Sequence, residues 1–227
     1  MPLIALPGRF PGICRRGWTQ YAINVNTSAP VKNMLTTSSL SPELAELDRQ
    51  FAAAKAEALE LVNGLQESQL NWRSDAHSWS MGECLLHLNI VGDRCVQMLE
   101  MSLADARGRG RVADGPFGYG WLGKWIIART EPPSKHKYKA PRAFTPAYGQ
   151  PITAVVLPTF RDLQEQLSRQ LEQASGLDLA HIRVPAPEAR PLRFILQFTF
   201  AWIAAHERRH LWQARQVRNH AAFPAVR

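Results

Sequence analysis

The sequence predicts an all-α fold, a four-helix bundle with one long irregular crossover between its second and third helices. Apolar residues recur at alternating spacings of three and four through four separate stretches, the pattern of helices with one buried face. Two of those stretches open on strong helix-start signals. There is no run with the two-residue alternation of a strand, and no internal repeat. At 227 residues and 45% hydrophobic content, the chain suits one main domain with a sizeable core.

The first helix is announced by Ser41 as N-cap and Pro42 at the first helical position, where its missing N–H costs nothing. Its stripe is Leu44, Leu47, Phe51, Ala54, Ala58, Leu61 and Leu65. The second helix opens on Ser80-Met81-Gly82-Glu83, a capping box in which serine and glutamate satisfy each other's backbone N–H, with Trp79 placed to staple the entry. Cys84, His87, Val91, Arg94 or Cys95, and Met98 follow on its seam, so His87 faces the bundle. From 106 to 152 glycines and prolines break the periodicity, and a stretch that long in a compact domain is expected to cover something, as a lid-like crossover. Within it, residues 119–129 read as a short helix docking through Trp121, Trp125 and Ile126. A third helix spans 158–174, with Phe160, Leu163, Leu167, Leu171 and Ala174 on its seam and Gly176 at its end. After an extended, proline-marked stretch over 184–191, the fourth carries Leu192, Ile195, Thr199, Trp202, His206, His210, Gln213 and Val217.

The formal charge of +8 divides instructively. Residues 1–33 hold Arg9, Arg15, Arg16 and Lys32 and no acid, which leaves the rest of the chain only mildly basic. Residues 1–38 are expected to be a disordered leader or a misassigned start, with Met34 a candidate start, and 39–220 the bundle. Nine Lys or Arg lie between 107 and 142 against Asp114 and Glu131, a solvated face or a funnel for an anionic substrate. That loop offers no reading helix and no aromatic-basic interleaving, so no nucleic-acid partner is expected. The longest apolar stretch, near 194–205, is too short and too interrupted for a membrane span. Three cysteines, Cys14, Cys84 and Cys95, form no disulfide framework, and the latter two lie about 16 Å apart along one helix. Reduced thiols in a cytoplasmic protein are expected.

The chemistry concentrates in three histidines. His206 and His210 stand four apart and so share one helix face, and His87 lies on the seam of another helix. Facing helices 8–10 Å apart let inward imidazoles converge on one ion with bonds of about 2.0–2.1 Å. Three neutral nitrogens leave a coordination position for water or substrate, the arrangement of a catalytic site. His206-Glu207-Arg208-Arg209-His210 also matches the His-Glu-x-x-His signature of zinc peptidases, with Glu207 as general base. Against that rival, the 17 residues after His210 contain no Asp or Glu, His220 sits at the wrong spacing for a third ligand, and both variable positions are arginine.

Trp79 to Leu88, then Lys139-Ala140-Pro141, then His206 to Gln213 together resemble the DinB-like (YfiT-like) superfamily of metal-dependent bundle enzymes, a resemblance covering about residues 40–218. It implies an up-down-down-up bundle, a divalent ion held by His87, His206 and His210, and a homodimer. It further implies a thiol transferase or isomerase using the ion to activate a low-molecular-weight thiol. The function expected is therefore a metal-dependent enzyme acting on a small-molecule substrate, by thiol transfer or hydrolysis. The alternative is a non-catalytic metal-binding module. Zinc or nickel are the first candidates, although imidazole also suits copper and iron.

Other residues take secondary places. Glu207, about 100° around the helix from His206, either reaches the ion's surroundings or pairs with Arg208, Arg209 or Arg193, and the pairing is favoured. Gln213 shares the seam with His206 and His210 and either orients a ligand or satisfies a buried neighbour. Cys84 reads as a buried inert thiol, Asp48 and Asp93 as solvated carboxylates, and Trp79, Trp202 and Trp212 as packing. His77, His136, His181 and His220 lack helical partners.

Overall fold

Ser41 caps the first helix as its chemistry requires: its hydroxyl accepts the Leu44 N–H at 3.4 Å, and α1 runs Pro42–Val62. The computed structural model describes residues 40–133, 139–147, 151–187 and 191–225, so the expected leader over 1–38, Cys14 and His136 lie outside the described residues. All of the α1 stripe through Leu61 is buried, while Leu65 lies past the helix end and packs part-buried on the core. A single turn, α2 (Glu67–Leu70), follows; its Gln69 side chain donates to the carbonyls of Pro224 and Ala225 and ties down the chain's far end. At the start of α3 (Met81–Gly108) the capping box is closed, with Ser80 Oγ accepting from Glu83 N at 3.2 Å and Glu83 Oε2 from Ser80 N at 2.9 Å.

The crossover contains α4 (Gly120–Thr130) and a 3-10 turn (Arg142–Phe144) before α5 (Val156–Ala174). A short antiparallel ribbon joins β1 (Arg183–Pro185) to β2 (Arg193–Ile195), and α6 (Leu196–Arg218) closes the fold. The described residues are mostly helical, as expected. Helices α1 and α3 each pack against both α5 and α6, and their buried residues, with Phe51, Phe160 and Phe200 the largest, form one core.

Three local expectations are corrected. Strands of three residues are too short to display alternation, so the ribbon left no readable pattern. Leu192 and Ile195, counted in the last helix's stripe, precede it: Leu192 is exposed, and Ile195 pairs with Arg183. Helix α4 docks on α6 through Gly123 rather than through its tryptophans. A Cβ at Gly123 would meet Phe198 Cδ2 at 3.1 Å, so glycine allows the close approach. Trp121 and Trp125, two positions to either side, therefore point away and are 80% and 54% exposed, while Ile126 is half-buried.

A second glycine sets the α3–α5 spacing. A Cβ on Gly92 would lie 2.2 Å from Leu163 Cδ2, and Leu163 is itself buried. Gly92→Ala is expected to destabilise the protein by about 1–3 kcal/mol through overpacking. Urea unfolding checks this as a lowered midpoint at unchanged slope.

Candidate metal centre

The capping box fixes where α3 begins and so puts His87 in its second turn, on the side facing α6. On α6, His206 and His210 occupy successive turns. The structure brings the three together: a ligand atom from each lies within 4.8 Å of the others, and ring centroids are 4.4–5.1 Å apart. His87 is 3% exposed and His210 9%, with His206 the half-buried member.

Hydrogen bonds select the tautomers. His87 Nδ1 lies 2.7 Å from the Phe144 carbonyl oxygen, which only accepts, so the nitrogen carries the proton and donates. His210 Nδ1 lies 3.1 Å from Gln213 Oε1, and the amide oriented with its oxygen toward the ring accepts in the same way. Both rings are thus left with their lone pair on Nε2. His87 Nε2 then faces His206 Nε2 at 3.3 Å. Two nitrogens bound to one tetrahedral ion at about 2.0–2.1 Å are separated by roughly 3.3–3.4 Å, so the donors present fit a divalent ion.

Electrostatics favours the neutral, ligating form. Burial, then the neighbouring His210 and His87, and then Arg209 hold His206 well below the usual imidazole range. Burial pushes His210 down to about 3, with His87 and Arg209 adding to it and the Gln213 hydrogen bond opposing. His87 is lowered by burial against the opposing Phe144 carbonyl. Among the described residues the cluster contains only histidines, which carry no negative charge to offset that of an ion.

Two indoles extend the ring cluster. Trp79 stacks on His210 at 5.8 Å and touches His87 at 5.0 Å, and Trp202 stacks on His206 at 4.8 Å with 22° between planes. The packing role expected for both is therefore packing against the imidazoles themselves.

Glu207 departs from the expected arginine pairing. Its position around α6 sends it into the core, 2% exposed, where Oε1 accepts from Gln164 Nε2 of α5 at 2.8 Å. Arg208 instead bonds Glu131 and Gln50. Burial pushes the Glu207 carboxyl up to about 8, against the lowering effects of Gln164 and Arg208. The peptidase role as general base finds no support in this placement.

Gln213 accepts from His210 Nδ1, a bond that satisfies a buried neighbour and would also orient that ring toward an ion. Gln213→Leu removes the acceptor and is expected to weaken metal binding by about 10–100-fold, measurable by competition against a chelating dye.

Cys84 and Cys95 are buried free thiols, both pushed up by burial, Cys95 to about 12, in keeping with the buried thiol expected of Cys84. Asp48 accepts from the Ser168 hydroxyl at 2.6 Å and Asp93 from Gln97 at 2.9 Å, and neither joins the cluster. His77, His181 and His220 also lie outside it. Sequence reasoning missed the Phe144 carbonyl, because a backbone acceptor has no residue signature. Gln164 was findable: it is a polar residue beside Leu163 on the apolar face of its helix.

A family model described as the DinB superfamily matches residues 50–214, more than half of the chain, in agreement with the resemblance carried by the three motifs. No curated protein and no solved structure matches the chain.

Proposed function

Because the chain belongs to the DinB superfamily, we propose that it is a metal-dependent enzyme whose divalent ion, zinc or nickel first, is held by His87, His206 and His210. The observation that carries this reading is the 3.3 Å approach of His87 Nε2 to His206 Nε2, with His87 Nδ1 already engaged by a carbonyl. Without a shared proton or an ion, two lone pairs would face each other in a buried site. When bound, the ion would act as a Lewis acid, lowering the pKa of a thiol or water in the open position so that a nucleophile exists near neutral pH.

The chain's own residues supply the rest. Gln213 and the Phe144 carbonyl fix two imidazole planes, and the second of these comes from the crossover, which thereby helps to build the site as well as to connect the helices. Trp79 and Trp202 keep water from much of the imidazole surface. Among the described residues no carboxylate joins the cluster to neutralise the ion, which favours an anionic or deprotonated ligand such as a low-molecular-weight thiolate.

The finer fold assignment is an up-down-down-up four-helix bundle. In support, Asn89 near the start of α3 bonds Val156 at the start of α5, and Arg107 near its end bonds Gln173. Gln50, Glu57 and Leu61 of α1 meet Arg208, Arg215 and Arg218 of α6 in the same order. Those two pairs run parallel, as that topology requires. Among the described residues no helix is long and apolar enough to cross a membrane.

The functional reading is tested with cobalt in place of the native ion. Adding 2-mercaptoethanol to the cobalt-loaded protein should produce a sulfur-to-cobalt charge-transfer band. A cobalt spectrum unmoved by any thiol or small anion would instead assign the ion a structural role, as in the non-catalytic module.

A further inference from the structure

Helix α4 turns its largest apolar side chains to the outside. Gly123 seats it on Phe198 of α6, and Ile126, Ile127 and Thr130, on the same side of the helix, are half-buried. At about 100° per residue, Trp121 and Trp125 stand about 160° to either side of Gly123 and straddle the outermost line, with Ala128 beside them. Lys124 lies about 100° from Gly123 on one flank, and Leu122 and Arg129 lie about 100° and 120° away on the other. Trp121, Leu122, Lys124, Trp125, Ala128 and Arg129 are all exposed. The outward face is therefore an indole ridge with a cation on each shoulder.

An exposed apolar ridge on a docked helix marks a surface that meets something other than water. The charge around it is of one sign. Helix α4 carries Lys124 and Arg129 and no acid, and the Arg129 guanidinium lies over the Trp125 ring at 5.0 Å. Glu131, just past the helix end, is bonded to Arg208, and Asp114 belongs to the loop ahead of the helix. A second copy of the chain complements this face badly. Across a twofold axis each shoulder meets a shoulder of the other copy, and every such meeting sets cation against cation. A layer of phosphates over hydrocarbon matches it on both counts, because indoles favour the boundary between headgroups and acyl chains while long basic side chains reach the phosphates. We propose that the outward face of α4 docks on an anionic phospholipid surface, with Trp121 and Trp125 entering that boundary and Lys124 and Arg129 meeting the phosphates. The docking is peripheral, since among the described residues no helix is long and apolar enough to cross a membrane.

The full chain is floated with vesicles of equimolar phosphatidylcholine and phosphatidylglycerol, and with vesicles of phosphatidylcholine alone. It is expected to bind the mixed vesicles at least about tenfold more tightly, from two cations close to the surface, and to lose most of that preference in about 1 M salt. Trp121→Ala and Trp125→Ala alter exposed positions and should leave the helical circular dichroism unchanged. Each should weaken binding to the mixed vesicles about tenfold. Brominated acyl chains should quench the wild-type tryptophan fluorescence and quench that of the double variant less. No binding to the mixed vesicles, equal affinity for the two compositions, or full binding by both alanine variants would overturn the proposal. So would a wild-type dimer that the substitutions dissociate, or an oligothymidylate bound through the same indoles, in place of vesicle binding: the face would then belong to a second copy or to a nucleic-acid strand.

Discussion

Metal-free protein is expected to lose stability steeply as pH falls below about 6.5. His87, His206 and His210 are all lowered from the ordinary imidazole value by burial, so below that value the unfolded chain takes up protons that the folded chain refuses. Each such proton contributes a slope of about 1.4 kcal/mol per pH unit, and three together approach roughly 4 kcal/mol per pH unit at most. Glu207 works in the opposite direction. Its folded value of about 8 lies above its ordinary 4.5, so its stabilising contribution is fully present below 4.5 and is lost as pH rises through 8. The metal-free wild type should therefore be most stable near pH 6.5, falling on the acid side with a net slope approaching two protons and more gently above. Glu207→Gln keeps an acceptor for Gln164 without a carboxyl to ionise. It should abolish the alkaline decline and steepen the acid one toward three protons. Urea midpoints from pH 5 to 9 in the presence of a chelator check both arms, and a profile unchanged by the substitution would contradict the Glu207 assignment.

Removing any one imidazole is expected to reduce zinc affinity by about a hundredfold or more, because structural zinc sites derive roughly 10–16 kcal/mol from only four ligands. Stability reports the same loss. With free zinc at about 100 times its dissociation constant, the wild type should gain about 2.7 kcal/mol. At that zinc concentration His87→Ala, His206→Ala and His210→Ala should each gain a few tenths of a kcal/mol. Thermal unfolding with and without zinc makes the comparison. Full zinc stabilisation in any of the three variants would remove that residue from the ligand set.

The sequence made the helices legible because their signals are local. Ser41-Pro42 and the Ser80–Glu83 box determine two helix starts without help from distant residues, and both caps form as read. The histidine pair was equally legible, since a spacing of four on a helix leaves little freedom. Tertiary details were not. Whether α4 turns its indoles or Gly123 toward α6 depends on how close two backbones can come, and a pattern of apolar residues favours the larger side chains by default. Glu207 had two polar destinations, and the presence of three nearby arginines in sequence suggested the wrong one. Its actual partner, Gln164, is 43 residues away.

If three imidazoles hold one ion with a position to spare, the X-ray absorption spectrum of the full chain loaded with one equivalent of zinc will show that ligand set. Three imidazole nitrogens at about 2.0–2.1 Å with one further light-atom ligand are expected. Fewer than three imidazoles, or a sulfur ligand at about 2.3 Å when no thiol has been added, would contradict it.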